Sequence, residues 1–201
     1  MKTQLTWPKA RRVELAQVGD LYYLYYKGAR FMSKTKGVVS CGFAEGDKIN
    51  KLKLVGTSQL EFDINDFKGK YVILYFYPRD MTSGCTTEGH EFSKLKSKFE
   101  KLNTFVFGIS RDSIESHNKF KLKENFLVDL LSDQDQQVCI AFDVIKDKNM
   151  YGKKVKGIER STFVISPEGI LIKEWRKVKA EGHAEQVYLW VVDRVEAKKN
   201  A

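Results

Sequence analysis

The run Tyr71-Val72-Ile73-Leu74-Tyr75-Phe76-Tyr77 constrains the fold of this chain more than any other segment. It is apolar or aromatic at every position, and too short for an ordinary buried helix. A strand covered on both faces has this character, which places it centrally in an α/β sheet. Pro78 ends the run, because proline has no N–H to give to a sheet ladder. Further on, Phe92, Leu95, Phe99 and Leu102 recur at spacings of three and four, which predicts one apolar face of an amphipathic helix. The next apolar run, 104–110, reads as a second strand. A helix between two such strands is long enough for a parallel crossover.

The remaining pattern extends this unit. Residues 60–64 alternate like a half-buried strand, and 65–70 read as a turn or short helix. A helix is expected around 113–125, a strand over 127–131 and a helix through 137–142. Residues 161–166 and 170–175 flank Ser166-Pro167-Glu168-Gly169, whose Pro and Gly predict a tight turn and an antiparallel hairpin. A closing helix over 184–197 carries Val187, Trp190, Val191 and Val195. The expected fold class is α/β, with a thioredoxin-like mixed sheet and helices on both faces.

Two parts are expected, an N-terminal extension of unassigned role at 1–45 and the thioredoxin-like domain at 46–201. The extension holds eight Lys and Arg against three Asp and Glu, so more than half of the net charge of +9 falls there. It also contains the run Leu21–Tyr26, read as a strand or packing patch, and Met32, a second candidate start of translation. Solvated lysines account for the charge, and no nucleic-acid-binding motif accompanies it. Wholly apolar stretches stop far short of the ~18–20 residues that span a bilayer, and no secretory signal pattern is present. Cys41, Cys85 and Cys139 are odd in number and widely spaced, which favours a reducing cytoplasm over a disulfide scaffold. The expectation is therefore no nucleic acid and no membrane. No cofactor or metal is expected either, since phosphate-loop, dinucleotide and metal-ligand spacings are missing from the sequence.

Chemistry concentrates in Pro78-Arg79-Asp80-Met81-Thr82-Ser83-Gly84-Cys85-Thr86-Thr87-Glu88, where the apolar strand gives way to the helix. Ligands of open α/β sheets bind at that edge. With Thr82 or Ser83 as the cap, Cys85 falls in the first helical turn, where unpaired N–H groups and the helix dipole favour an anion. A thiolate so placed is a nucleophile. The backbone at Gly84 and Cys85 can bind developing negative charge, Gly84 permits close approach, and the Thr82 hydroxyl can both donate and accept. An inert core cysteine would sit among apolar neighbours, and these are Thr, Ser and Gly.

Residues 71–88 resemble the active-site segment of peroxiredoxins, specifically the bacterioferritin-comigratory-protein or Q-type subfamily. The resemblance runs from about Gly46 to the C-terminus and includes 65–70, 130–144 and 157–171. It implies a thiol peroxidase reducing hydrogen peroxide or an alkyl hydroperoxide. Cys85 would be the peroxidatic cysteine, with Pro78 shaping the pocket, Thr82 placing the peroxide and Arg160 stabilising thiolate and oxygen. Glu88 matches the family's pattern and reads equally as a first-turn carboxylate favoured by the helix dipole.

The pattern breaks five residues beyond Cys85, where many Q-type members carry a resolving cysteine and this chain has His90. His90 reads as a surface helix residue or as a substitute base; His117 and His183 stand isolated in the sequence. Cys139, between Val138 and Ile140, reads as a packing residue, and Cys41 is a candidate resolving thiol. The expectation is a one-cysteine enzyme recycled by thioredoxin, glutaredoxin or glutathione, as a monomer or homodimer. A disulfide exchanger would need Cys where Thr82 stands. A redox-inactive binding or holdase protein on the same fold is the alternative from another class.

Overall fold

The computed structural model describes residues 16–18, 21–26, 29–33, 42–150 and 153–199. In chain order, β1 (Ala16–Val18), β2 (Leu21–Tyr26) and β3 (Ala29–Ser33) form an antiparallel sheet, so the Tyr-rich run is a strand. They are followed by β4 (Lys53–Gly56), β5 (Glu61–Asp63), β6 (Tyr71–Phe76), α1 (Ser83–Lys101), β7 (Thr104–Ser110) and α2 (Ile114–Glu124). Then come β8 (Asp129–Ser132), α3 (Gln137–Ala141), β9 (Ile145–Met150), β10 (Lys153–Ile158), β11 (Ser161–Ile165), β12 (Leu171–Arg176) and α4 (His183–Lys199).

The main sheet has seven strands in the order β12-β11-β6-β7-β8-β4-β5. β6, β7 and β8 are parallel, and the outer strands are antiparallel to their neighbours. All six residues of β6 are buried, as their unbroken apolar character requires. Their parity divides the core. Val72, Leu74 and Phe76 meet Phe62, Phe107, Cys139, Phe142 and Phe163 on one face. Tyr71, Ile73, Tyr75 and Tyr77 meet Phe92, Leu95 and Phe99 of α1, Phe120 of α2, and Ala184, Val187 and Val191 of α4 on the other. Each fully buried phenylalanine contributes on the order of 1.5–3 kcal/mol. The sheet is mixed with helices on both faces; among the described residues the three long ones share the second face and only α3 serves the first.

Several boundaries differ from the sequence expectation. The strand expected at 127–131 is Asp129–Ser132, because Leu127 turns outward and leaves the ladder. The one expected at 60–64 shortens to Glu61–Asp63, and Ile64 already opens a 3-10 turn whose start is capped by the Asp63 carboxylate. The β9–β10 hairpin was not foreseen; its lysine-rich strands lack the apolar alternation that marks a half-buried strand.

Register explains how distant residues meet. Ser161 pairs with Phe76, the last residue of β6. Arg160, one residue before β11, therefore emerges at the same sheet edge as the segment leading into α1.

Candidate active site

After Phe76 the chain leaves the sheet through Tyr77 and Pro78 and turns into α1. Met81 lies in the left-handed region at φ 59°, a strained conformation for a residue with a Cβ. Thr82 then takes the N-cap position at φ −93° and ψ 147°, and its carbonyl accepts the Thr86 N–H at 2.9 Å. Its side chain does not cap the helix. The hydroxyl donates back to the Arg79 carbonyl at 3.1 Å, so the first-turn amides keep their N–H groups for an incoming acceptor.

Cys85 is the third residue of α1 and only 2% exposed. Arg160 Nη2 donates to its Sγ at 3.3 Å. The other guanidinium nitrogen, Nη1, donates to Glu88 Oε2 in a buried ion pair. Glu88 stands three residues after Cys85 and hence on the same helix face, so one planar guanidinium spans both groups. Burial opposes the charge of Arg160, but Glu88 and Cys85 outweigh it and its pKa is raised further. Burial also pushes the Glu88 carboxyl up from 4.5 to about 7, with Arg160 pulling the other way.

Glu88 is therefore no solvated first-turn carboxylate; it is the sixth residue of α1, beyond the first turn. It is buried, and its Oε1 has no partner among the described residues. The signal that could have found it is the spacing of three from Cys85. Gly84 also makes room within the protein itself. A Cβ there would stand 3.3 Å from Arg160 Nη2 and 4.0 Å from Ala180 Cβ, so the missing side chain leaves room for the guanidinium. Beside Arg160, whose carbonyl accepts the Val178 N–H at 3.1 Å, an open cleft of about 370 Å³ is lined by Val178, Lys179, Glu181, Gly182, His183 and Gln186.

Cys139 and the three histidines have partners other than the sulfur. Cys139 belongs to the opposite core, so the seven-stranded sheet separates it from Cys85. It is fully buried, its N–H donates to Asp133 Oδ2 at 2.6 Å, and burial drives its thiol far above the ordinary range. That is the behaviour of a packing residue. His90 Nε2 meets Glu124 Oε2 at 3.2 Å with its ring edge-on to Phe126, which is a helix-to-helix contact. His117 and His183 are not isolated in space. His183 Nε2 lies 2.9 Å from Thr162 Oγ1, and burial lowers its pKa. His117 is buried against Asp80. Pro78 is half-buried at the strand end. Cys41 lies outside the described residues.

With a sulfur, a fixed cation and free amides converging at a sheet edge, the arrangement can present a thiolate to a small electrophile and stabilise a departing oxyanion. The chain is similar to known proteins over most of its length. Residues 46–174 match the AhpC/TSA family. Peroxiredoxin Bcp of Xanthomonas campestris is 55% identical over 119 residues, covering 59% of this chain and 74% of that protein. Peroxiredoxin Bcp of Bacillus subtilis is 46% identical over 151 residues, covering 75% and 96%. Among solved structures, the X. campestris bacterioferritin comigratory protein, studied for alkyl peroxide reduction, superposes with a TM-score of 0.69 at 46% identity, covering 72% of this chain and 92% of that one. A cysteine-to-serine variant of Xylella fastidiosa PrxQ gives 0.73 at 41% identity, covering 77% and 98%.

Proposed function

The chain belongs to the AhpC/TSA family of peroxiredoxins, and from that premise we propose that Cys85 is its peroxidatic cysteine. The chain is a thiol peroxidase. In the proposed first step a lone pair of the Cys85 thiolate attacks one peroxide oxygen. An S–O bond forms as the O–O bond breaks, Cys85 becomes a sulfenic acid, and the departing oxygen takes up a proton as water or alcohol. Arg160 solvates the thiolate and then the developing oxyanion, Thr82 and the Gly84 and Cys85 amides place the peroxide, and Pro78 shapes the entrance. The observation that carries this reading is the single guanidinium donating to both Cys85 Sγ and Glu88 Oε2.

Hydrogen peroxide and alkyl hydroperoxides are the substrates proposed; alkyl peroxide reduction is the activity studied in the X. campestris relative. Recycling is proposed to use an external thiol, that of thioredoxin, glutaredoxin or glutathione. One thiol displaces water from the sulfenic acid, and a second frees Cys85 from the mixed disulfide. Cys85 is only 2% exposed, so in this scheme a protein thiol reaches its sulfur once the first turn of α1 gives way. In the scheme, residues 46–201 are the catalytic unit, acting in the cytoplasm as a monomer or homodimer. Residues 42–45 pack on that unit, with the Phe43 N–H on the Ala141 carbonyl at 2.8 Å. No described helix is long and apolar enough to cross a membrane.

The fate of the sulfur tests the recycling scheme. One equivalent of peroxide followed by mass spectrometric mapping is expected to leave Cys85 as a sulfenic acid, trappable by a dimedone-type nucleophile. It is expected to give no Cys85–Cys139 disulfide in the folded monomer, because the sheet stands between the two. A high yield of that disulfide would overturn the one-cysteine cycle, and a Cys85–Cys41 bond would transfer the resolving role to the N-terminal extension.

A further inference from the structure

The segment from Pro78 to Thr82 contributes two of the proposed pocket residues, yet only Asp80 at its midpoint is buried. The Asp80 carboxylate accepts three side-chain donors. Tyr77 Oη donates to Oδ1 at 2.8 Å, Ser116 Oγ to Oδ2 at 2.7 Å, and His117 Nδ1 to Oδ2 at 2.9 Å. Its backbone N–H donates to Asp112 Oδ2 at 2.9 Å, and that oxygen also accepts Ser110 Oγ at 2.6 Å. On the far side, His117 Nε2 lies 3.3 Å from the Leu131 carbonyl of β8. The network thus ties the exit of β6 to the ends of β7 and β8 and to the first turn of α2.

We propose that Asp80 and His117 are positioning residues for the peroxide reaction, holding the Pro78–Thr82 segment so that Thr82 and the first turn of α1 meet the peroxide at Cys85. The inference rests on the peroxidase reading above. Two observations favour positioning over mere stability. A buried carboxylate–imidazole pair adds little stability that well-packed apolar side chains would not also supply, whereas this one fastens the segment that leads into the helix carrying Cys85. Moreover, the segment contains Met81 in its strained left-handed conformation, which persists only when its surroundings over-determine it. Asp80 is the adjacent residue, and its bonds supply that constraint. No network atom bonds to Cys85, so the influence passes through the backbone from Asp80 to Thr82.

The test compares two reactions of the same sulfur in the full chain. In Asp80→Asn, the second-order rate with hydrogen peroxide is expected to fall on the order of 100-fold, the scale of a displacement of about 1 Å in a reacting geometry. Alkylation of Cys85 by iodoacetamide needs no donor aimed at a departing oxygen and is expected to stay within about twofold of wild type. Ser116→Ala removes one partly buried donor to the carboxylate and covers the case in which Asp80→Asn fails to fold; about a tenfold loss with peroxide alone is expected. Unchanged peroxide rates in the folded variants, or equal losses with both reagents, would overturn the positioning role. Wild-type protein lacking any Cys85-dependent peroxide consumption would instead overturn the peroxidase reading itself, so the two failures are distinct.

Discussion

Arg160→Met is expected to lower the second-order rate with peroxide by about 100- to 1,000-fold, the usual consequence of removing one donor aimed at developing negative charge. The guanidinium is the only cation bonded to Cys85 Sγ among the described residues, and a thioether cannot replace its N–H groups. Arg160→Lys should fall between wild type and Arg160→Met, because an ammonium keeps the charge but cannot fork between Sγ and Glu88. The same change acts on stability. Glu88 would be left buried without a counter-charge, and breaking one side of a buried pair typically costs about 3–5 kcal/mol. Protonation of Glu88 limits that penalty, so the destabilisation of Arg160→Met should be largest above neutral pH. Urea denaturation at pH 6 and pH 8.5 measures it.

The second large effect belongs to Glu88. Burial raises its carboxyl from 4.5 in the unfolded chain to about 7 in the folded one. The folded protein therefore binds this proton more tightly, and between those values it holds more protons than the unfolded chain. Stability from this group is accordingly full below about pH 4.5 and is lost as pH rises through 7. At about 1.4 kcal/mol per unit, the loss approaches roughly 3 kcal/mol by pH 8. Glu88→Gln cannot titrate. The difference in unfolding free energy between wild type and Glu88→Gln should therefore change with pH by that amount, wild type losing ground as pH rises. A flat difference from pH 5 to pH 8 would contradict the assignment of Glu88 as a buried acid.

Much of the architecture could be read from periodicity. The unbroken apolar run of β6 is central because both its faces are covered, and the spacing of Phe92, Leu95 and Phe99 is the buried stripe of α1. Pro78 and Gly84 marked the sheet edge where chemistry sits. Arg160 was reached through family resemblance. Its approach to Cys85, 75 residues away, depends on the register of β11 on β6, which no local pattern encodes. Glu88 was visible but misplaced by the sequence reading, which put it in the first turn, whereas α1 starts at Ser83 and carries Glu88 one turn further on.

Other parts left no signal of the kind that sequence reading uses. Asp80, Ser116 and His117 form a buried polar network, and hydrophobic patterning scores such residues as surface. Lysine-rich strands such as 153–158 carry charge where a half-buried strand would show alternation, so the β9–β10 hairpin left no strand signal. Thr82 or Ser83 was expected as the cap of α1; Thr82 takes that position, with its hydroxyl turned back to the Arg79 carbonyl.

Stopped-flow mixing of fully reduced protein with limiting hydrogen peroxide addresses the central claim most directly. Rapid consumption of one equivalent per chain is expected, retained in Cys139→Ser and absent in Cys85→Ser. A burst that survives in Cys85→Ser, or a wild-type chain no faster than free cysteine, would contradict it.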